Sequence, residues 1–158
     1  MKLADKIKYR LIGWCRSHAY DIVIPNYYMF NYEMDVFKLM QSGYITEYEI
    51  KISRSDLKAD FKKGTNYTNK HEQIKQGSKA NRFYFVVPEG MIEKSEIPTY
   101  CGLIFYREQR DALDVIQNAK LLHRNKFENY KEVALRLSFR EANMRHKLRY
   151  NESRVKEL

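Results

Sequence analysis

Cysteine is nearly missing from this chain. Cys15 and Cys101 are the only two in 158 residues, and neither stands in a CxxC or Cys/His spacing, which argues against a disulfide framework or a structural zinc site. Glycine and proline are also sparse, at six and three, and this excludes collagen-like and low-complexity classes. No uninterrupted apolar run nears the roughly 20 residues that span a bilayer. Met1 to Tyr20 carries charges throughout, where a signal peptide has an apolar stretch. The expectation is a soluble, cytoplasmic protein with no membrane partner. What is abundant supports a folded chain: 44% hydrophobic and 31% charged residues suffice for one globular domain with a real core.

Charge is unevenly spread. Twenty-nine Lys and Arg oppose twenty Asp and Glu, leaving +9, which suits nucleic acid, anionic lipid or an acidic protein as partner. Lys51 to Arg82 holds nine basic and three acidic residues, and Lys120 to Leu158 holds eleven and five. The remainder is net acidic and includes Glu33, Asp35, Glu47 and Glu49. A pure DNA-binding scaffold has no need of that local knot of carboxylates.

The apolar spacing of Leu3, Ile7, Leu11 and Trp14 predicts an amphipathic helix from Lys2 to about Tyr20. Asp21 to Tyr28 reads as a weak strand that Pro25 confines to an edge or a strand end. Glu33 to Met40 and Tyr44 to Ile52 read as a hairpin around Gln41, Ser42 and Gly43, with Gly43 supplying the left-handed residue that such a loop needs. Ser53 then opens a capped helix bearing Leu57 and Phe61, closed by Gly64. Thr65 to Lys79 is polar, a loop or short helix. Arg82 to Val87 and Cys101 to Tyr106 read as buried strands, Leu113 to Leu122 fits strand or helix, and Phe127 to about Tyr150 reads as a long charged helix. The fold class is therefore α/β, a mixed β-sheet flanked by helices, with residues 1–126 as the core and 127–158 as a basic helical extension of the same domain.

Chemistry concentrates at the hairpin. Alternation places Glu47, Glu49 and Lys51 on one face and Tyr48, Ile50 and Ile52 on the other. A loop centred on Ser42 sets Asp35 opposite Glu49 and Glu33 opposite Lys51. Like charges across a hairpin repel, more so as water is excluded. Lys51 offsets part of this, and a divalent cation would offset the rest. Oxygen donors without His or Cys favour Mg²⁺, with Mn²⁺ as substitute. Asp35 and Glu49 are the expected ligands, with the Ile50 carbonyl. The competing reading is an exposed hairpin whose charges form ordinary surface pairs of about 0–1 kcal/mol each.

These residues resemble the PD-(D/E)xK nuclease superfamily, whose signature is an acidic residue on one strand and Glu-x-Lys on the next. The run Tyr48 to Phe61 (YEIKISRSDLKADF), with Arg82 to Pro88 (RFYFVVP) downstream, is most similar to the MmcB-like DNA-repair branch. The similarity covers roughly Tyr32 to Tyr106. Met34 precedes Asp35 where the signature has proline, a difference in backbone shape rather than in ligation. The resemblance implies a restriction-endonuclease-like fold, metal binding by Asp35 and Glu49, and a Lys51 that orients the attacking water or steadies charge on the phosphate. Glu33 is implied as a further ligand or base.

DNA is the expected partner. Arg54, Lys58, Lys62 and Lys63 follow directly on the chemistry, and Lys70, Arg145, Lys147 and Arg149 add further candidate phosphate contacts. Such contacts fix position rather than base identity. His71 and Gln73 reach the site if their polar segment folds over it, whereas His18, His123 and His146 have no companion spacing. The long C-terminal helix suits homodimerisation, DNA contact or packing on the sheet. The leading expectation is an Mg²⁺-dependent DNA endonuclease with a repair or recombination role and little sequence preference. The alternatives are a non-catalytic nucleic-acid-binding module and a protein-interaction domain that presents its basic helix to an acidic partner.

Overall fold

The structure, a computed structural model, describes residues 1–16, 21–30, 32–62, 64–65 and 68–156, and side chains within this set except those of 64–65, 68 and 147–156. Two compact units are present, Met1–Lys126 and Phe127–Leu158.

The first unit opens with helix α1, Leu3–Cys15. Its buried side chains Ile7, Leu11 and Cys15 recur every four residues, which turns them onto one stripe. Cys15, and not the predicted Trp14, completes that stripe; Trp14 stays 41% exposed and meets Tyr48 edge-on. The predicted continuation through 17–20 lies outside the described residues. Strands β1 (Ile22–Met29), β2 (Tyr32–Leu39) and β3 (Ile45–Ile50) form an antiparallel meander. Helix α2 (Arg54–Asp60), the short pair β4 (Gly64–Thr65) and β5 (Thr68–Asn69), and helix α3 (Lys70–Lys75) then cross to β6 (Arg82–Pro88), which lies parallel to β3. Strand β7 (Gly102–Arg107) continues parallel and β8 (Ala112–Gln117) closes antiparallel. The result is a mixed six-stranded sheet in the order β1-β2-β3-β6-β7-β8, with β1 at the edge where Pro25 is tolerated.

Two apolar layers cover the sheet. On one face Ile7, Leu11 and Cys15 of α1 meet Val36, Tyr48, Ile50, Val86 and Ile104. On the other, Leu57 of α2 and Ile74 of α3 meet Phe83, Phe85, Val87 and Leu103. Alternate residues of β6 enter opposite layers, the pattern of a strand buried on both sides. Ile52, expected on the apolar face, lies beyond β3 and is 46% exposed.

The hairpin register follows the loop. Val36 pairs with Tyr48 and Phe37 with Glu47, and Gly43 takes φ 85° at the loop's last position. Helix α2 starts as predicted, with the Ser53 hydroxyl accepting from the Asp56 amide at 3.2 Å, but ends at Asp60, ahead of Gly64. In the polar segment after it the Asn69 side chain caps α3, accepting from the His71 amide at 2.8 Å. The ambiguous stretch from Leu113 becomes part of β8.

The second unit contains helix α4, Tyr130–Lys156. No helix among the described residues is long and apolar enough to cross a membrane.

Candidate active site

Glu47, Glu49 and Lys51 project together from β3, as alternation requires, into the layer occupied by α2 and α3. All three are buried, and they meet Asp60 from the end of α2 and Lys70 and His71 from the start of α3. The Lys51 ammonium lies 2.8 Å from one Glu49 oxygen and 3.1 Å from Asp60 Oδ1. Lys70 takes the other Glu49 oxygen at 3.3 Å and Glu47 at 2.9 Å, and stands 3.9 Å from Asp60 Oδ2. Two ammonium groups and the carboxylates of Glu49 and Asp60 thus alternate around a closed ring. Tyr32 donates its hydroxyl proton to Glu47 at 2.6 Å.

His71 closes the network from behind. Its Nε2 is 2.8 Å from Asp60 Oδ2 and its Nδ1 is 2.8 Å from the Tyr100 hydroxyl. Phe61, Phe83 and Phe85 surround the ring, with Phe61 at 4.5 Å between centroids. This arrangement sets the titration of the cluster. Burial pushes the Lys51 ammonium down, and Glu49 and Asp60 more than reverse it, holding it above the ordinary lysine value. Lys70 is raised in the same way by Glu47, Glu49 and Asp60. Burial pushes the Asp60 carboxyl up, while the His71 hydrogen bond, Lys70 and Lys51 together hold it well below the usual carboxylate range. Glu47 is pushed up, because its burial outweighs Lys70.

Asp35 stands apart from this ring. The β2–β3 ladder runs as far as Val36 and Tyr48; beyond it the Ile50 amide donates to Asp35 Oδ2 at 2.9 Å. The other oxygen, Oδ1, is 3.4 Å from Lys8 of α1. The loop therefore brings Asp35 to the Glu49–Ile50 peptide. Glu33 does not face Lys51 as predicted. It pairs with Tyr28 across β1 and accepts from the Asn26 side chain at 2.6 Å. The β2–β3 ladder ends at Val36 and Tyr48, before it reaches Glu33, and Lys51 turns its ammonium to Glu49 and Asp60; on the other side Asn26, at φ 48°, interrupts the β1–β2 pairing opposite Asp35.

The expected repulsion among carboxylates is met by lysines from elsewhere in the chain. Lys8 answers Asp35, and Lys70 together with Lys51 answers Glu47, Glu49 and Asp60. Among the described residues no group of three or more His, Cys, Asp or Glu side chains is spaced to hold a metal ion. Lys70, expected to contact phosphate, is 6% exposed inside the ring. Arg54, Lys58 and Lys62 are exposed on and just after α2, with Arg54 paired to Glu96. Arg145 is exposed on α4 and paired to Glu141 at 2.6 Å. Lys63, and the side chains of Lys147 and Arg149, lie outside the described residues.

Asp60, His71 and Tyr100 were not among the predicted site residues, apart from His71 on condition that its segment folded over. The signal was helical spacing. Asp60 shares a face with Leu57 and Phe61, and Lys70 and His71 share one with Ile74.

No protein-family model and no curated protein matches the sequence. A solved structure described as a protein of unknown function from Silicibacter pomeroyi is similar to 94% of this chain and over 92% of its own, with a TM-score of 0.67 at 16% sequence identity. At that identity the likeness establishes the fold alone, a mixed α/β sheet, and function has to be argued from the site.

Proposed function

We propose that the protein is a divalent-metal-dependent DNA nuclease of the PD-(D/E)xK type. One observation carries the reading. The Asp35 carboxylate is hydrogen-bonded to the Ile50 amide, and Glu49 and Lys51, on either side of Ile50, lie 2.8 Å apart. The acidic residue of one strand and the Glu-x-Lys of the next therefore converge on a single peptide.

The donor chemistry fits Mg²⁺ or Mn²⁺. Asp35, with 29% of its side chain exposed, Glu49 and the Ile50 carbonyl offer only hard oxygen. Mg²⁺ is commonly held by one or two carboxylates with water and substrate phosphate completing its shell, so a three-carboxylate cluster is not required. When bound, such an ion supplies Lewis-acid stabilisation of a phosphate oxygen and a water of lowered pKa. The chain's own contribution is the Lys51 ammonium, a fixed positive charge held between Glu49 and Asp60 where negative charge develops on a phosphoryl group. Arg54 and Lys58 on α2 and Lys62 just after it suit flanking phosphates.

A second reading is favoured by the ring itself. Lys51 and Lys70 already offset the buried carboxylates, a condition compatible with a nucleic-acid-binding module that does not turn over. Incubating the purified protein with supercoiled, linear, branched and single-stranded DNA in Mg²⁺ or Mn²⁺ separates the two. Cleavage that is lost in a folded Asp35→Asn protein supports the nuclease. Salt-dependent binding without cleavage of any substrate supports the module.

A further inference from the structure

We infer that Tyr100, His71 and Asp60 form a positioning relay that fixes the Lys51 ammonium beside Glu49. The inference rests on the nuclease reading for what Lys51 does, and on geometry for how Lys51 is held.

An ionised carboxylate only accepts hydrogen bonds, so the 2.8 Å contact between Asp60 Oδ2 and His71 Nε2 places a proton on Nε2. The other ring nitrogen, Nδ1, lies 2.8 Å from the Tyr100 hydroxyl, and the relay assigns the hydroxyl as donor and Nδ1 as acceptor. Tyr100 thus selects the tautomer, and the packing of Phe61, Phe83 and Phe85 fixes the plane of the imidazole. With Oδ2 anchored by His71, Asp60 presents Oδ1 to Lys51 at 3.1 Å. The Asp60 side chain is fully buried, so water does not substitute for either contact. Glu49 completes the hold on Lys51 from the opposite side at 2.8 Å.

A lysine stem has four rotatable bonds, and a lone Glu49 two residues away fixes only one direction of its ammonium. Asp60 supplies the second direction from a different element, and His71 prevents Asp60 from swinging toward Lys70, which stands 3.9 Å from the same Oδ2. In this scheme Asp60, His71 and Tyr100 act through Lys51.

The test is NMR at fixed pH on the ¹⁵N,¹³C-labelled full chain, together with cleavage kinetics. His71 is expected to show a protonated Nε2 and an unprotonated Nδ1. Tyr100→Phe, which keeps the ring, is expected to shift His71 Nδ1 and to move the Lys51 Cε and Nζ resonances. Asp60→Asn is expected to move the same resonances and to lower the cleavage rate roughly ten- to a hundredfold, the usual effect of removing a partner that orients a site residue, with DNA affinity unchanged. Asp60→Glu is expected to recover part of the rate. The relay is refuted if His71 carries its proton on Nδ1, or if folded Asp60→Asn leaves the Lys51 resonances in place. Should Asp60→Asn not fold, unchanged Lys51 resonances in Tyr100→Phe refute it equally. A wild-type protein that cuts no DNA defeats the nuclease reading, while the resonances still decide the relay.

Discussion

Asp60 Oδ1 and the Lys51 ammonium are 3.1 Å apart, joining the end of α2 to the end of β3 at a point where neither side chain is more than 3% exposed. Desolvating both charges is costly, and the pair is supported by Glu49 on the Lys51 ammonium and by His71 and Lys70 beside the other Asp60 oxygen.

Removing one member of such a pair leaves a buried charge uncompensated. Asp60→Ala is expected to lower unfolding free energy by about 3–5 kcal/mol in urea titration. Adding Lys51→Met is expected to cost much less than the sum of the two single changes, since the stranded ammonium goes with it. Additive costs would mean that the two side chains do not interact. The same argument applies to Glu49→Ala and Lys51→Ala, whose side chains stand in the same buried network.

Stability should fall at both ends of the pH range. Asp60 is held below the usual carboxylate value, chiefly by His71, Lys70 and Lys51 against its burial. Its contribution is complete above the unfolded aspartate value of about 3.9 and is lost as pH falls through the lowered folded value. Glu47, raised by burial, works in the opposite sense and recovers stability as pH drops toward its unfolded value. Lys51 and Lys70, raised by their carboxylates, contribute fully below about pH 10.4, a contribution lost as pH rises through their folded values. In Asp60→Asn the decline below about pH 4 should flatten. A variant with the wild-type acid limb would show that Asp60 is not its source.

Two glycines separate backbone need from space. A Cβ on Gly102 would stand 2.1 Å from the Tyr84 ring, which is packed against Tyr48. Gly102→Ala is therefore expected to destabilise by about 1–3 kcal/mol. Gly13 lies inside α1 with nothing within 4 Å of such an atom, so Gly13→Ala should stabilise by about 0.5–1 kcal/mol. Thermal unfolding measures both, and the same sign in the two variants would contradict the packing described.

Exposed and buried lysines should behave differently toward DNA. Lys58→Ala and Lys62→Ala, both at exposed positions, are each expected to reduce the slope of log affinity against log salt by about 1. Lys70→Met should cost stability instead, because its ammonium is enclosed by Glu47 and Glu49. An unchanged slope in both surface variants would remove α2 from the DNA-binding face.

The elements whose signals are local were legible. The Gly43 loop fixed the pairing of Val36 with Tyr48, Ser53 marked the start of α2, and of the two places Pro25 allowed, an edge and a strand end, the structure takes the edge. Alternation correctly grouped Glu47, Glu49 and Lys51. What escaped was long-range. Nothing near Glu49 in sequence announces that Lys70, 21 residues away, reaches it. Lys8 reaches Asp35 across 27 residues. Only Lys51 is near the carboxylates along the hairpin strand that bears Glu47 and Glu49, whereas Lys8 and Lys70 come near them through the fold. Glu33 was misplaced because the β2–β3 ladder stops at Val36 and Tyr48, and its side chain accepts from Asn26 on the other neighbouring strand.

The most direct measurement is DNA cleavage by wild-type protein and by Asp35→Asn in Mg²⁺, with circular dichroism confirming that both are folded. Asp35 lies outside the buried lysine ring, so its loss tests chemistry more than packing. The account predicts metal-dependent cleavage by the wild type and none by the variant. Equal cleavage by both, or none by either, would contradict it.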